Sequence, residues 1–374
     1  MKIALNIIYC APGRVGGTQT YAEHLMAEIA KADSVNEYIV YANKDGAKVA
    51  IPNAPNFSVV ICPVDAKNLA SRYVFEQLEL PKRLKADNVD VCFSLGYVCP
   101  LRLPVASVVC IHDVNFIALK DAMSPWKRLV FGYFVRQSAI RADHVLTVSE
   151  FSKQEITERI GVRAEKTTVT LLGPRDYKPN AVTKAEIVLK YGLSKPYLIA
   201  FSSHSDHKNM PRLLESFATI IDDFPHDLVL VGRVPSDGKL DHCIRELGLS
   251  DRVVVTGYVP DEHVMPLIRY ADLFVFPSYY EGFGLPALDA QLAGTAIASS
   301  SAGSLPEVLG DGAEYFDPFS VNDMATVLRD CLSDEGLRND LVQKGKANLG
   351  RFSWKTTATK TLDVLHSYKQ GNPR

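Results

Sequence analysis

Glu281 closes the apolar run Phe274-Val275-Phe276-Pro277-Ser278-Tyr279-Tyr280 and stands eight residues before a second acid, Asp289. Between the two acids, Gly282-Phe283-Gly284 breaks the chain and Leu285-Pro286 restarts it. Proline suits the first turn of a helix, where its missing N–H costs nothing. The unpaired amides of such a helix start make a positive pocket for phosphate or sugar oxygens. Gly282 and Gly284 bring the backbone to a ligand with no Cβ in the way. Glu281, at the mouth, accepts hydrogen bonds from hydroxyls. Asp289 falls on the helix's first turn, and the same spacing also reads as a plain strand–loop–helix unit with Asp289 facing the helix dipole.

Further residues of this kind sit where apolar runs end. Gly16-Gly17, in Pro12-Gly13-Arg14-Val15-Gly16-Gly17-Thr18, leads into a helix, and a glycine loop there allows close approach of phosphate or sugar. It is neither G-x-G-x-x-G nor a P-loop, which weakens dinucleotide and NTPase readings. His112-Asp113 ends the run Val108–Ile111. A histidine there can bond a hydroxyl or titrate near neutrality, and Asp113 either orients the imidazole or caps the next turn. Lys208, in Phe201-Ser202-Ser203-His204-Ser205-Asp206-His207-Lys208-Asn209, can hold phosphate as a point charge. Ser149-Glu150-Phe151-Ser152 reads as a helix cap. Glu307, in Ser299–Val308, reads as structural.

These positions need strand ends to hold them. Strands are predicted near 2–9, 37–43, 57–63, 89–95, 106–112, 144–149 and 167–172. A second set is predicted near 196–203, 226–232, 252–258, 272–277 and 295–300. Most are continuously apolar, as strands buried on both faces are. Helices are predicted near 18–32, 68–86, 124–142 and 151–160, then near 211–222, 237–247, 261–270, 286–293, 320–333, 336–349 and 353–368. This alternation means parallel sheets with crossovers, whose ligands sit at the carboxyl ends of the strands. The turn-rich segment 173–180 reads as a linker between two such domains. Helix 124–142 carries Trp126, Phe131, Tyr133 and Phe134 with Lys127, Arg128, Arg136 and Arg141. It reads as core-packing with surface cations, with a membrane-surface helix as the alternative.

Composition narrows the function. At 374 residues two domains are expected. A net charge of −2 points to neither nucleic acid nor an anionic surface through bulk electrostatics. The seven cysteines include no C-x2-C pair, which suggests free buried thiols in a reducing, cytoplasmic setting. The first residues are too short an apolar run for a signal peptide, and no stretch approaches the roughly 18 apolar residues of a spanning helix.

In order, these motifs resemble the retaining glycosyltransferases of the family 4 type (glycosyl transferases group 1), whose hallmark is an acid-x7-acid segment. The resemblance spans nearly the whole chain. It implies two Rossmann-like, doubly wound α/β domains facing a cleft (GT-B). Residues 1–175 would be the acceptor side and 186–352 the nucleotide-sugar side, with a last helix in 353–374 returning to the first domain. By the same resemblance His112 and Glu281 are catalytic, lying by the donor sugar. The amides of Gly282, Phe283, Gly284 and Leu285 hold sugar hydroxyls and phosphate, and Asp289 binds the ribose. Gly16 and Gly17 border the donor phosphates, Lys208 grips the diphosphate, and Tyr258 or Val259 flanks the base. The implied reaction moves a hexose, mannose favoured, from GDP-mannose or a UDP-hexose to a glycan or lipid-linked acceptor in polysaccharide or O-antigen assembly. No cofactor is implied, and the absence of any D-x-D leaves no metal indicated. Nucleic acid is not a partner, and membrane contact is at most peripheral. The chain departs twice from the pattern. Asp289 stands for Glu, and Ser203 stands where a second clamp cation, Arg, is usual; His204, His207, Arg233 or backbone amides are the candidates to replace it. The alternatives are a nucleotide-sugar epimerase on the same fold or a non-catalytic sugar-nucleotide-binding subunit.

Overall fold

The structure, a computed structural model, describes residues 1–11, 16–119, 124–175, 182–203, 205–232 and 238–368. The chain divides into two compact units, Met1–Gly173 with Phe352–Arg374, and Pro174–Arg351.

In the first unit, seven parallel strands form one sheet. They are β1 (Lys2–Asn6), β2 (Glu37–Asn43), β3 (Phe57–Cys62), β4 (Val91–Ser94), β5 (Ala106–Cys110), β6 (His144–Thr147) and β7 (Thr167–Val169), in the order β3-β2-β1-β4-β5-β6-β7. The order reverses between β1 and β4, which pair from Ile3↔Val91 to Asn6↔Ser94. Two apolar clusters sit side by side on one face, Ala4, Ile8, Tyr41, Leu80 and Leu84 in one and Val109, Ile111, Val135, Val145 and Ile156 in the other. Ile3, Leu5, Val40, Phe93 and Val108 are buried on the opposite face. This double burial is why the strands read as apolar runs rather than alternating ones.

The helix Trp354–His366 packs on the helix Gly16–Ala32. The Trp354 indole stacks on His24 with ring centres 5.0 Å apart. A Cβ on Gly173 would lie 2.6 Å from Trp354 N, so glycine is required where the last strand leaves the unit.

The second unit repeats the plan with β8 (Tyr197–Phe201), β9 (Asp227–Val231), β10 (Val253–Gly257), β11 (Leu273–Phe276), β12 (Ile297–Ser300) and β13 (Glu314–Phe316), in the order β10-β9-β8-β11-β12-β13. All pairs are parallel, and the reversal falls between β8 and β11. Leu198, Leu213, Phe217, Leu230, Leu273, Phe316 and Leu328 share its core.

The strands end earlier than the apolar runs predict. β1 stops at Asn6, whose Oδ1 accepts from Ile8 N (3.1 Å) and turns the chain out of the ladder. β8 likewise stops before Ser202, and β11 before Pro277. The apolar tail of each run thus enters the loop at the carboxyl edge. The helix Lys184–Tyr191, the five-residue helix Leu305–Leu309 and β13 were too short for their apolar residues to show a period.

The helix Pro125–Arg141 has two apolar faces. Val130, Phe131, Phe134, Val135 and Ala139 pack inward. Trp126, Leu129, Tyr133 and Ile140 recur at helical spacing and are exposed, Trp126 by 73% and Leu129 by 65%. From the sequence, core packing was preferred and a membrane-surface helix kept as the alternative, because apolar residues on both sides of a helix leave little periodicity to choose between them. All seven cysteines are free thiols; six are buried and Cys243 is partly exposed. Among the described residues no helix is long and apolar enough to cross a membrane.

Candidate functional site

The second unit places its chemistry at the reversal of its sheet, where an open parallel sheet leaves a crevice at the strand ends. The loop after β8 carries Lys208 and the loop after β11 carries Glu281. They meet: Lys208 Nζ lies 2.7 Å from Glu281 Oε1, with both side chains mostly buried. The ammonium also lies 5.3 Å from the Phe276 ring centre. Burial pushes the Glu281 carboxyl up, but the charges of Lys208 and His207 and hydrogen bonds from Lys208 and Ser278 together outweigh it, and the pKa is lowered.

Each partner is held from behind. Asn209 adopts a left-handed backbone (φ 61°) and is buried. Its Nδ2 donates to Pro277 O (3.0 Å) and Pro318 O (2.7 Å), which ties the Lys208 loop to the end of β11. Glu281 O accepts from Ser304 N (3.2 Å) and Ser304 Oγ (3.0 Å). A Cβ on Gly303 (φ +66°) would sit 2.9 Å from both Glu281 N and Glu281 O. Gly303 and Ser304 thus position the acid, a role that the sequence reading did not assign to them; the signal was the glycine in Ser299–Val308.

The helix Leu285–Ala293 starts as predicted, with Gly284 as its N-cap and Pro286 in its first turn. Two details differ from the sequence reading. The space beside Gly284 is filled by protein, because a Cβ there would lie 2.7 Å from Leu305 Cδ2. Its φ of +97° and this packing, rather than ligand approach, require glycine. Asp289 is the fifth helical residue, beyond the first turn, and is 1% exposed.

The Asp289 carboxylate is engaged by Arg175, which belongs to the segment read as a linker. Arg175 N donates to Oδ1 (3.2 Å) and Arg175 Nε lies 2.7 Å from Oδ2. Burial pushes the Asp289 carboxyl up, and Arg175 pulls it back part of the way. Nothing in the sequence pairs residues so far apart in the chain.

Elsewhere in this unit, Tyr258 is exposed and Val259 is buried, so of these two the tyrosine is the accessible one. Ser203 Oγ accepts from Ser205 N (3.2 Å) within its own loop. His207 O accepts from Tyr279 N (3.0 Å), joining the two site loops. His207 Nδ1 is buried with no hydrogen-bond partner among the described residues. Phe283 is buried and Gly282 also lies inside. His204 and Arg233 lie outside the described residues, as do Gly13 and Arg14.

In the first unit, His112 follows β5, next to the β1/β4 reversal. Its Nε2 lies 3.1 Å from Leu95 O, so this nitrogen carries the proton and donates. Tyr21 packs edge-on at 4.8 Å between ring centres. Loss of hydration pulls the imidazole pKa down to about 4, opposed by the bond to Leu95. Asp113 caps the next turn: its Oδ1 accepts from Asn115 N (3.2 Å) and Tyr97 OH (3.2 Å). The cap expected at Ser149 is present, with Ser149 Oγ accepting from Ser152 N (3.0 Å). Gly16 opens the helix Gly16–Ala32 with φ +43°, and open space lies where a Cβ would be on Gly16 or Gly17.

Residues 184–348 match the family model described as glycosyl transferases group 1, and residues 15–173 match glycosyltransferase family 4. The chain is 30% identical over 275 residues to O-antigen chain mannosyltransferase B of Escherichia coli, covering 72% of each chain. It is 29% identical over 230 residues to the serotype-specific mannosyltransferase WbdA of the same species. That match covers 58% of this chain and 28% of WbdA, so the chain spans less than a third of that relative. Sucrose-phosphate synthase from Thermosynechococcus elongatus shares the fold, with a TM-score of 0.77 at 19% identity over 98% of both chains.

Two expectations follow from the geometry. Gly303→Ala should move the Glu281 backbone and lower kcat/KM of glycosyl transfer by about 10²-fold while circular dichroism stays native; wild-type turnover would remove Gly303 from the site. The second concerns pH. Unfolded, His112 titrates near 6.5; folded, it titrates near 4. Below pH 6.5 the unfolded chain takes the proton first, so native stability falls between pH 6.5 and 4, by at most about 3 kcal/mol. Its contribution is complete above pH 6.5. Urea unfolding of His112→Gln across that window should show a shallower pH slope than wild type.

Proposed function

Since this chain belongs to the glycosyl transferases group 1 family, we propose that it is a retaining hexosyltransferase in polysaccharide or O-antigen-type assembly, taking mannose from GDP-mannose. The observation that carries this reading is the Lys208–Glu281 pair at the reversal of the second sheet. A diphosphate arriving there competes for the ammonium and frees the carboxylate. Glu281 then takes sugar hydroxyls, and Lys208 with the start of helix Leu285–Ala293 meets the charge that develops on the departing diphosphate. His112, neutral and already donating to Leu95 O, keeps its other ring nitrogen, Nδ1, as an acceptor for a donor-sugar hydroxyl. The sugar passes to a hydroxyl of a glycan or lipid-linked acceptor, with its anomeric configuration kept. The mannose assignment follows the names of the two E. coli relatives. Metal independence draws on the missing D-x-D and on the described residues, among which no three His, Cys, Asp or Glu side chains gather as a metal site.

The outer face of the helix Pro125–Arg141 supports a cytoplasmic enzyme that docks on an anionic membrane surface. The helix has four cations and no acid, and it exposes Trp126, Leu129, Tyr133 and Ile140 along one stripe. Aromatic and aliphatic groups flanked by Lys and Arg are what an interfacial helix needs.

Glu281→Ala and Lys208→Ala should each reduce turnover at least ~100-fold, about 2.7 kcal/mol of transition-state stabilisation. Near-wild-type turnover in both, with folding intact, would refute the roles of the acid and the lysine. A thermal-shift panel of nucleotide sugars tests the donor; GDP-mannose at 100 times its Kd should add about 2.7 kcal/mol, and a shift with UDP-sugars alone would reassign it. For the membrane face, flotation with vesicles of neutral lipid and of vesicles rich in anionic lipid should recover the protein with the anionic set. The triple variant Trp126→Ser/Leu129→Ser/Tyr133→Ser should lose most of that binding, and equal recovery of both proteins would sink the docking reading.

A further inference from the structure

The chain departs twice from its family's pattern in the second unit, with Ser203 in place of a clamp cation and Asp289 in place of a glutamate. One residue answers both. Asp289 is 1% exposed and its two carboxylate oxygens are taken by Arg175, through the amide (3.2 Å) and through Nε (2.7 Å). At 1% exposure the acid presents almost no surface to a ribose hydroxyl while Arg175 stands against it. The Arg175 side chain is 32% exposed, so part of it meets solvent beyond the Nε contact with Asp289.

Two placements put that exposed part beside the nucleotide. Helical side chains lean toward the helix N-terminus, so the Asp289 carboxylate, and Arg175 upon it, lie over the turn that begins at Leu285. In addition, Arg175 Nη1 lies 3.9 Å from Asp261 Oδ1, at the start of the helix Asp261–Arg269 that directly follows Tyr258-Val259-Pro260. The guanidinium thus stands between the loop expected to flank the base and the helix start expected to face the phosphates. Arginine only donates hydrogen bonds, and its planar fork matches phosphate oxygens. Hydroxyls that need an acceptor gain nothing from it.

We propose that Arg175 is a donor-binding residue that contacts the nucleotide's α-phosphate, and that Asp289 is a positioning residue that aims it. The pair replaces both the missing cation and the longer acid. The proposal rests on the nucleotide-sugar reading above and deepens it.

The test is a titration of guanosine, GMP and GDP, and of uridine, UMP and UDP, against wild type and Arg175→Gln by calorimetry. In the series that wild type binds, Arg175→Gln should weaken the mono- and diphosphate at least ~10-fold and the nucleoside less than ~2-fold. Arg175→Lys should recover part of the loss, because it keeps the charge without the fork. Equal weakening of nucleoside and nucleotides, or no weakening, overturns the proposal and leaves the transferase reading standing. Wild type that binds neither series overturns both. If Arg175→Gln alone fails to fold, the double variant Arg175→Gln/Asp289→Asn removes the buried charge with its partner. It should show the same phosphate-dependent loss, and retention of wild-type nucleotide affinity by this variant overturns the proposal.

Discussion

An ammonium and a carboxylate 2.7 Å apart, both largely withdrawn from water, set the terms for the second unit. Desolvating two charges is costly, and their attraction repays this only if the geometry is held. The surroundings do hold it. Asn209, in a left-handed turn, ties the lysine loop to the end of β11, and Ser304 takes the Glu281 carbonyl from the other side. The Gly303 loop is pressed so close that no side chain fits. The parallel sheet brings the two loops together because its order reverses between β8 and β11.

Much of this was legible in the sequence. Strands buried on both faces leave apolar runs, and helix starts leave Gly–Pro or Ser signals; these placed nearly every element within a few residues. The acid-x7-acid spacing and Lys208 found the two sides of the pair. What stayed hidden was of two kinds. Some elements, such as β13 and the helix Leu305–Leu309, were too short to show a period. Other features depend on partners far apart in the chain. Arg175 looked like linker chemistry because its partner is Asp289, and Gly284 looked like a ligand-facing glycine because Leu305 could not be seen behind it. His112–Asp113 shows the limit from another side: the sequence allowed Asp113 to orient the imidazole or to cap the next turn, and only the structure shows the cap, with the ring bonded to Leu95 O.

The two departures from the family pattern take on a different look once Arg175 is in view. A shorter acid at 289 ends deeper in the helix packing and is 1% exposed. A buried carboxylate needs a cation, and the chain supplies one from just beyond the first unit's last glycine. The departure at 289 therefore comes with a basic partner of its own, Arg175.

The cysteines have a practical outcome. Six of the seven thiols are shut away, and burial pushes those of Cys99, Cys110 and Cys331 up to about 12. Thiolate is the reactive form, so these sites are inert in the native fold. Cys243, on the surface helix Lys239–Glu246 of the second unit, alone meets the solvent. Partial burial, with Glu215 and Glu246 nearby, raises this thiol too, so a fluorophore or spin label attaches there selectively at alkaline pH, with no cysteine removed first.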